Sequence, residues 1–527
     1  MSEPPRELAS LSVEELRAAL GRQRAVNARL RRVIDSQAEL HQAELAARDA
    51  QIAQLRWQVA ATDAQVAELR WQVVVLGDRV MGLERQAGRD SSNSSKPPSS
   101  DSPFTKRPRR ATDRSLRGRS GRKPGKQPGE PGVTLAQVPD PDHVVVCAPV
   151  SCGGCGCDLA GVPVAAGHTR QVFEVPPPPP RPIVTAYRVQ ARTCPVCGTT
   201  TLGQAPGWVT GRAQYGPGVC AHAVNLTCAN YVPVGRAAGL LADMLGVGCS
   251  VGFVAGARGM AAGRLGPFME RVRVLLGQAG VLYVDKTPGR AAGELAYVHV
   301  ACTPFLTHLH TGGRSAADID AGGVLAGFTG TIMRDGYAGY AHLVEALHAW
   351  CGAHSLRDLR AIWEADPQGQ AWAGSMADLL VYANKAAGAA RAAGAQALSA
   401  AALDTIVSWY RGAVATGITA NQRRRTQLAR DGLRLARRSA AHEAMILRFA
   451  TDLTVAFTNN QSERDIRPVK VQQRASGGCW RTLQGLADFA VVQSYLSTAA
   501  KWGLDKLEAL RQLFTTGPWL PPTLSPD

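Results

Sequence analysis

An apolar residue recurs at every seventh position between residues 45 and 83, and this repeat restricts the N-terminal segment to a long helix. The first set of positions holds Leu45, Ile52, Val59, Val66, Val73 and Val80. The second set, three residues later, holds Leu55, Leu69, Leu76 and Leu83, with Thr62 in the remaining place. β-Branched residues in the first set and Leu in the second favour a parallel two-stranded coiled coil. We therefore predict a leucine-zipper-like segment over residues 1–88 that joins two chains; the alternative is an amphipathic helix that folds back on its own chain.

Residues 89–143 are predicted to form a disordered, basic linker. The run SSNSSKPPSSDSP at 91–103 offers no core-forming side chain that could offset the entropy of ordering. Ten Lys and Arg residues face one acidic residue between positions 105 and 126, in a chain whose formal net charge is +17. Such charge favours a nucleic-acid partner; the alternative is a solvated spacer. The candidate contacts are Arg107, Arg109, Arg110, Arg122 and Lys123.

Two features exclude other classes of protein. No apolar run approaches the roughly 18 residues of a membrane span, and the first 20 residues carry several acidic residues and no hydrophobic stretch of a secretory signal. We therefore expect a cytoplasmic protein whose 12 cysteines stay reduced. In that setting clustered cysteines bind metal more often than they form disulfides.

Two C-x2-C pairs open the next region, residues 144–214. The pairs are Cys152 with Cys155 and Cys194 with Cys197. Each pair can place two thiolates on one tetrahedral ion, so together they predict a structural Zn²⁺ site. The distance between the pairs exceeds the usual spacing in zinc ribbons, and Cys157 or Cys147 could replace a ligand of the first pair. The alternative is a set of buried reduced thiols.

Residues 215–279 are predicted to be helical. Positions 236–245 are apolar on one face, Gly246 breaks this helix, and Ser250 can cap a following helix. Two helices joined by a short glycine-containing turn fit a DNA-binding helix-turn-helix. An ordinary helical hairpin has the same pattern and remains the alternative.

Residues 280–354 alternate short apolar runs with turn residues, which predicts three strands, a helix and a fourth strand. Their expected positions are 280–287, 294–302, 305–312, about 316–328 and 330–337. This is the opening order of a ribonuclease-H-like fold, in which the first and fourth strands lie side by side. Asp285 ends the first strand and Asp335 ends the fourth, so their carboxylates are expected to converge. Otherwise both are ordinary turn residues.

Two converging carboxylates require a neutralising cation, and Mg²⁺ suits carboxylates that also face phosphate. The best third carboxylate is Glu463, in a segment rich in positive charge. The candidate phosphate contacts around it are Arg464, Arg467, Lys470 and Arg474. The alternatives for Glu463 are a capping residue three positions after Asn460 and an ordinary helix pair with Arg467.

Most of residues 355–455 is Ala-rich and is predicted to be a helical insertion in this core, which resumes over 456–515 before a tail at 516–527. A fifth strand is expected at 345–351. An arginine-rich face could hold DNA or be a solvated surface; it comprises Arg423, Arg424, Arg425, Arg430, Arg434, Arg437 and Arg438. Cys351 and His354 have the spacing of half a metal site, but no partner pair is evident, so packing and a local hydrogen bond are favoured.

These motifs together resemble a DDE transposase of the insertion sequence 66 family over nearly the whole chain. In the first half the matching features are the zipper, SSNSSKPPSSD, GRKPGKQPGEPG, the two C-x2-C pairs (the cysteine knuckles), FEVPPPPP and YGPGV. In the second half they are VDKTP, RDGY, CGAHSLRDL, NNQSERDIRPVKVQQRASG, SYLSTAAKWGLDKLEAL and PWLP. The last third is the most specific.

The resemblance implies a multidomain, mostly α protein with an α/β ribonuclease-H-like catalytic core. It implies a catalytic triad of Asp285, Asp335 and Glu463 with two Mg²⁺ ions, and a zinc finger at the knuckles. The implied partners are element ends and target DNA, a second copy of the chain and accessory proteins of the element, in a bacterial cytoplasm near the nucleoid. One departure is Lys286, where family members usually have Glu; its charge would weaken Mg²⁺ binding or contact DNA phosphate. A catalytically inactive DNA-binding relative is therefore the alternative function.

Overall fold

The protein is described by a computed structural model that covers residues 12–87, 137–166, 168–173 and 181–526. Internal contacts divide the chain into two units, residues 1–88 and 89–527. The five basic residues predicted to contact nucleic acid in the linker lie outside the described residues. No helix within the four described ranges is both long enough and apolar enough to cross a bilayer.

The first unit contains one helix, α1 (Val13–Ala87). Ser12 and Glu15 form a reciprocal cap at its start, since the backbone N–H of each donates to the other's side chain at 2.9 and 3.3 Å. The seam of apolar residues is exposed along the helix, with 59% of Leu69 and 68% of Val73 accessible. The predicted long helix is confirmed, and the second helix that would cover its seam remains a prediction.

The second unit begins with a two-stranded antiparallel hairpin, β1 (Ala191–Thr193) and β2 (Thr200–Leu202). The turn between the two strands contains the second C-x2-C pair. Gly198 closes this turn with a φ of 71°, a backbone conformation that a glycine adopts without strain.

Four helices precede the main sheet: α2 (Pro217–Val224), α3 (Val234–Leu245), α4 (Val251–Arg264) and α5 (Gly266–Gly277). The predicted break and cap are confirmed: Gly246 ends α3 with a φ of 64°, and the Ser250 hydroxyl accepts from Phe253 N–H at 3.1 Å. These helices share one hydrophobic core with the sheet, and Phe268 packs edge-on against Tyr495 at 5.0 Å. The helix-turn-helix function stays a prediction.

The main sheet has five strands among the described residues. They are β3 (Val281–Ala291), β4 (Glu294–Cys302), β5 (Thr307–Gly312), β6 (Thr331–Arg334) and β7 (Leu347–Trp350). Their order is β5-β4-β3-β6-β7, with β4 antiparallel to β3 and β5, and with β6 and β7 parallel to β3. The expected adjacency of the first and fourth predicted strands is therefore confirmed.

Two details of this region differ from the prediction. Strand β3 does not end near Asp285 but continues to Ala291, because it pairs with β4 up to a turn at Ala292 and Gly293, both with positive φ. The helix expected over 316–328 is short, since α6 spans only Ala316–Asp320. Glycines at positions 322, 323 and 327 follow it, two of them with positive φ, and favour turns over further helix.

A helical layer follows β7 and has a second hydrophobic core, around Trp372, Tyr410 and Phe449. Its helices are α7 (Gly352–Ala365), α8 (Ala371–Ala392), α9 (Ala400–Asn421), α10 (Gln427–Ala441), α11 (Glu443–Ile446) and α12 (Arg448–Thr451). The helical character predicted for residues 355–455 is thus confirmed.

Three helices complete the second unit: α13 (Asn460–Ala475), α14 (Leu483–Lys501) and α15 (Lys506–Thr515). Helix α13 packs against β3 and β4, and α14 packs against β5 and α4. A buried ion pair between Asp465 and Lys501, 2.6 Å apart, joins α13 to α14. Helix α13 is thereby fixed across the strand that carries Asp285.

Candidate active site

Asp285 lies in β3, and Asp335 directly follows β6, the parallel strand beside it. Val281 pairs with Thr331 and Tyr283 with Met333, so the same register continued by two residues places Asp285 opposite Asp335. Neighbouring strands are about 4.8 Å apart, and residues at matching register point to the same face. The sheet therefore brings the two aspartates together.

Glu463 shares the electrostatic environment of this pair. The pKa of Asp285 is raised to about 7, mainly by burial, next by the charge of Asp335 and to a smaller extent by the charge of Glu463. The backbone N–H of Lys286 donates to Asp285 Oδ1 at 2.7 Å, and this hydrogen bond lowers the pKa of Asp285. The charges of Asp335 and Glu463 thus both favour the protonated form of Asp285.

Glu463 reaches the site because the start of helix α13 is fixed to the sheet. The preceding residue, Asn459, donates from its side-chain nitrogen to Val284 O at 2.8 Å and from its backbone N–H to Cys351 Sγ at 3.2 Å. Asn459 is also the N-cap, and no side chain caps this helix end, so the interpretation of Glu463 as a capping residue is wrong. Burial raises the pKa of Glu463, whereas the positive charges of Arg357 and Arg467 lower it.

Lys286 lies beside the acidic cluster that Asp285, Asp335 and Glu463 form. Its Nζ is 3.6 Å from Asp335 Oδ2, and 8% of its side chain is exposed. The ammonium group also lies 3.5 Å from the centre of the Tyr337 ring, a cation–π contact. Burial lowers the pKa of Lys286, whereas the negative charges of Asp335 and Asp285 partly raise it again. The residue that departs from the family pattern therefore contributes a positive charge to the acidic cluster.

Cys351 and His354 have a partner that the sequence did not reveal. One ligand atom each from Cys351, His354 and Glu463 lies within 4.8 Å of the others. The two-residue spacing of Cys351 and His354 was a signal of half a metal site, but Glu463 is more than 100 positions away in the chain. Its closeness to the pair depends on where α13 begins, since Asn459 just before this helix donates from its backbone N–H to Cys351 Sγ.

The predicted phosphate contacts on α13 are mostly accessible. Arg464, Arg467 and Arg474 are exposed, whereas Lys470 is half-buried and donates to Pro288 O. Burial and the nearby Arg474 lower the pKa of Lys470. Three exposed arginines on the helix that carries Glu463 form a basic surface beside the acidic cluster.

Part of the arginine face in the helical layer is engaged in ion pairs within the protein. Arg438 pairs with Asp358, Arg424 lies 3.6 Å from Asp366 and Arg434 lies 3.7 Å from Asp431. Partly exposed ion pairs of this kind contribute little stability and can exchange partners. The use of this face for DNA remains a prediction.

The two C-x2-C pairs each form a tight turn. Gly156 N–H donates to Cys152 O at 2.8 Å, and Gly198 N–H donates to Cys194 O at 2.9 Å. A hydrogen bond with the Thr199 hydroxyl is the main cause that lowers the pKa of Cys197 to about 7. Within the described parts of the chain the four sulfurs do not form one group at ligand distance. The zinc site therefore stays a prediction.

Clustered carboxylates on a mixed sheet, with exposed arginines on the adjoining helix, are typical of enzymes that process nucleic acids. Comparison with known families is more specific. Residues 212–487, just over half of the chain, match the model described as transposase IS66 family. The chain therefore belongs to the transposase IS66 family, and the resemblance inferred from its motifs is confirmed.

Membership of this family indicates a transposase, and so a DNA-processing enzyme that binds DNA. A second model, described as a family of unknown function (DUF6444), matches residues 35–136, and its description indicates no activity. No curated protein matches the chain significantly.

Proposed function

We propose that this transposase is of the DDE type, with Asp285, Asp335 and Glu463 as its catalytic triad. It would cleave DNA at the ends of an insertion sequence and join the freed 3′ ends to target DNA. The observation that supports the proposal is the parallel pairing of β3 with β6 just before Asp285 and Asp335, together with the influence of the Asp335 and Glu463 charges on the pKa of Asp285. The order of the five strands supports a ribonuclease-H-like core.

The donor set fits divalent magnesium. Asp285, Asp335 and Glu463 offer only carboxylate oxygens, the ligands that Mg²⁺ prefers. The raised pKa of Asp285 reflects burial first and the negative charge of Asp335 second, and a divalent cation would offset both by stabilising the ionised carboxylate. When bound, two Mg²⁺ ions would supply Lewis acidity and an activated water or 3′-hydroxyl for in-line displacement at phosphorus.

The chain's own residues would hold the DNA in place. Arg464, Arg467 and Arg474 are exposed on α13 and can neutralise backbone phosphates next to the carboxylates. Asn459 ties the start of this helix to β3 and so keeps Glu463 at the aspartates. Catalysis of this type depends on positioning and charge neutralisation and needs no covalent enzyme–DNA intermediate.

Other parts of the chain would assemble and direct the complex. The exposed apolar seam of α1 would pair with that of a second chain and so bring two catalytic sites to two element ends. The basic linker, the cysteine knuckles with structural Zn²⁺ and the helices of residues 215–279 would read the terminal sequence, since only base contacts specify sequence. Accessory proteins of the element would join this assembly.

One observation favours an alternative, a DNA-binding relative without catalytic activity. The ammonium group of Lys286 lies 3.6 Å from Asp335, where it competes with a metal ion for that carboxylate. In that case the cysteine knuckles, the linker and α1 would still bind DNA and join two chains, and the three carboxylates would no longer catalyse a reaction.

An assay of Mg²⁺-dependent nicking at an element end separates the two functions. The transposase should cut the DNA, and Asp335→Asn should abolish cutting while DNA binding persists. Asp404→Asn, which removes an exposed carboxylate on α9, is the matched control and should cut like the unmodified chain. Tight binding by the unmodified chain without any cleavage would support the inactive relative instead.

A further inference from the structure

A thiol, an imidazole and a carboxylate converge where helices α7 and α13 begin. Cys351 directly precedes α7, His354 lies in its first turn, and Glu463 lies in the first turn of α13. Their ligand atoms lie within 4.8 Å of one another, and no other such group occurs in the described part of the chain. Two segments more than 100 positions apart in sequence thus supply sulfur, nitrogen and oxygen to one point.

The surroundings of the three residues leave ligand capacity unused. Cys351 is 1% exposed, and the Nδ1 atom of His354 is buried without a hydrogen-bond partner. A buried polar atom without a partner costs free energy, which coordination to an ion would recover. The packing and local hydrogen bond expected for His354 therefore do not account for its ring.

We propose that Cys351, His354 and Glu463 bind one borderline-soft divalent ion of the zinc class. Thiolate and imidazole ligands select Zn²⁺ or Co²⁺ over Mg²⁺, which prefers oxygen. In a tetrahedral zinc site the ligand atoms are about 3.5 Å apart, so only a small contraction is needed. Three protein ligands would leave the fourth position open to water or another group.

The groups around the cluster suit this ion. The backbone N–H of Asn459 donates to Cys351 Sγ at 3.2 Å, which stabilises a thiolate and orients it. A thiolate and a carboxylate together neutralise a divalent charge. The ion would thereby join the start of α7 to the start of α13.

This site goes beyond the proposed transposase chemistry, because it concerns a different ion and does not require DNA. It shares Glu463 with the proposed triad. A Glu463 carboxylate held by a zinc-class ion is less free to bind Mg²⁺, so occupancy of the one site would weaken the other. Binding of the zinc-class ion would then regulate the triad.

Co²⁺ is the probe for the test, since its bond to thiolate gives a charge-transfer absorption. The metal-stripped full-length chain is dialysed against Co²⁺, and bound ions per chain are counted. Cys351→Ala, His354→Gln and Glu463→Gln should each bind one Co²⁺ fewer than the unmodified chain. The knuckle cysteines are present in every protein, so their contribution cancels in the difference.

Cys302→Ala is the matched control, because Cys302 is a buried thiol on β4 outside the cluster. It should bind as much Co²⁺ as the unmodified chain. Circular dichroism in EDTA establishes that each variant is folded, and His354→Gln, which lies outside the proposed triad, decides the question where Cys351→Ala fails to fold. Folded variants of all three residues with an unchanged Co²⁺ count would overturn the proposal.

The same assay separates this inference from the proposed function. Asp335→Asn should abolish DNA cleavage and keep the full Co²⁺ count. A chain that loses Co²⁺ on substitution of the three ligands but never cuts DNA would retain the metal site and refute the transposase chemistry.

Discussion

The Lys286 ammonium group lies 3.6 Å from an Asp335 carboxylate oxygen, inside the cluster that would bind the catalytic metal. Only 8% of the Lys286 side chain is exposed, so solvent screens this interaction weakly. One fixed positive charge thus takes up part of the negative potential that would otherwise attract Mg²⁺. Lys286 therefore opposes the metal binding that the proposed mechanism requires.

Lys286→Glu should raise the affinity for Mg²⁺ at least about tenfold, because a unit charge about 5 Å away contributes roughly 3 kcal/mol at an effective dielectric of 20. Isothermal titration calorimetry with Mg²⁺ measures the change. Lys385→Glu makes the same charge reversal at an exposed position on α8 and should leave the affinity unaltered. Equal affinities in the two variants would show that Lys286 does not oppose the metal.

Asp285 should make the metal-free protein less stable as the pH rises. Its pKa is raised from 3.8 to about 7 in the folded state, so the folded state binds the proton more tightly than the unfolded chain. The stability contributed by this group is complete below about pH 4 and is lost as the pH rises through about 7, with an upper limit of roughly 4 kcal/mol. Asp285→Asn should remove this dependence.

Urea unfolding in EDTA at pH 5 and pH 8 tests that expectation. The unmodified chain should lose more stability between the two pH values than Asp285→Asn, and Mg²⁺ at pH 8 should restore stability to the unmodified chain but not to Asp285→Asn. Asp404→Asn should behave like the unmodified chain. Parallel pH profiles for the chain and Asp285→Asn would mean that Asp285 is ionised without penalty.

The strand order could be predicted, because each apolar run is short and is bounded by turn residues. The full length of β3 could not. Pro288 and Gly289 are typical of a turn, yet they lie within the strand. Proline is tolerated there because β6 pairs with β3 only up to Tyr283, so one side of β3 is open at Pro288. Lys470 from α13 donates to the Pro288 carbonyl on the same stretch.

The closeness of Asp285 and Asp335 could be predicted, because each follows the start of one of two strands that were expected to be neighbours. The approach of Cys351 and His354 to Glu463 could not, since it depends on how α13 packs after a helical layer of about 100 residues. The partner of Asp465 could not be predicted from the sequence either. It lies two positions from Glu463, but only the fold shows that it pairs with Lys501 and does not face the aspartates.

Asp465→Asn should destabilise the protein by about 3 kcal/mol. The substitution leaves the Lys501 ammonium buried without its counter-charge, and breaking a buried ion pair from one side is costly. Glu463→Gln, two residues away on the same helix, should change stability by less than about 1 kcal/mol because Glu463 is only partly buried. Urea midpoints of the two variants in metal-free buffer should differ accordingly; coincident midpoints would refute the structural role of Asp465.

Association of two chains should depend on the apolar seam of α1. Leu55→Asp combined with Leu69→Asp places two charges on the seam, and burial of unpaired charge would separate the helices. The full-length variant should then sediment as a monomer at micromolar concentration, whereas the unmodified chain should sediment as a dimer. Ala53→Asp with Ala67→Asp adds the same charge at the same spacing on the outer face, and should stay dimeric. A dimer that persists in the seam variant would place the self-association surface in the second unit.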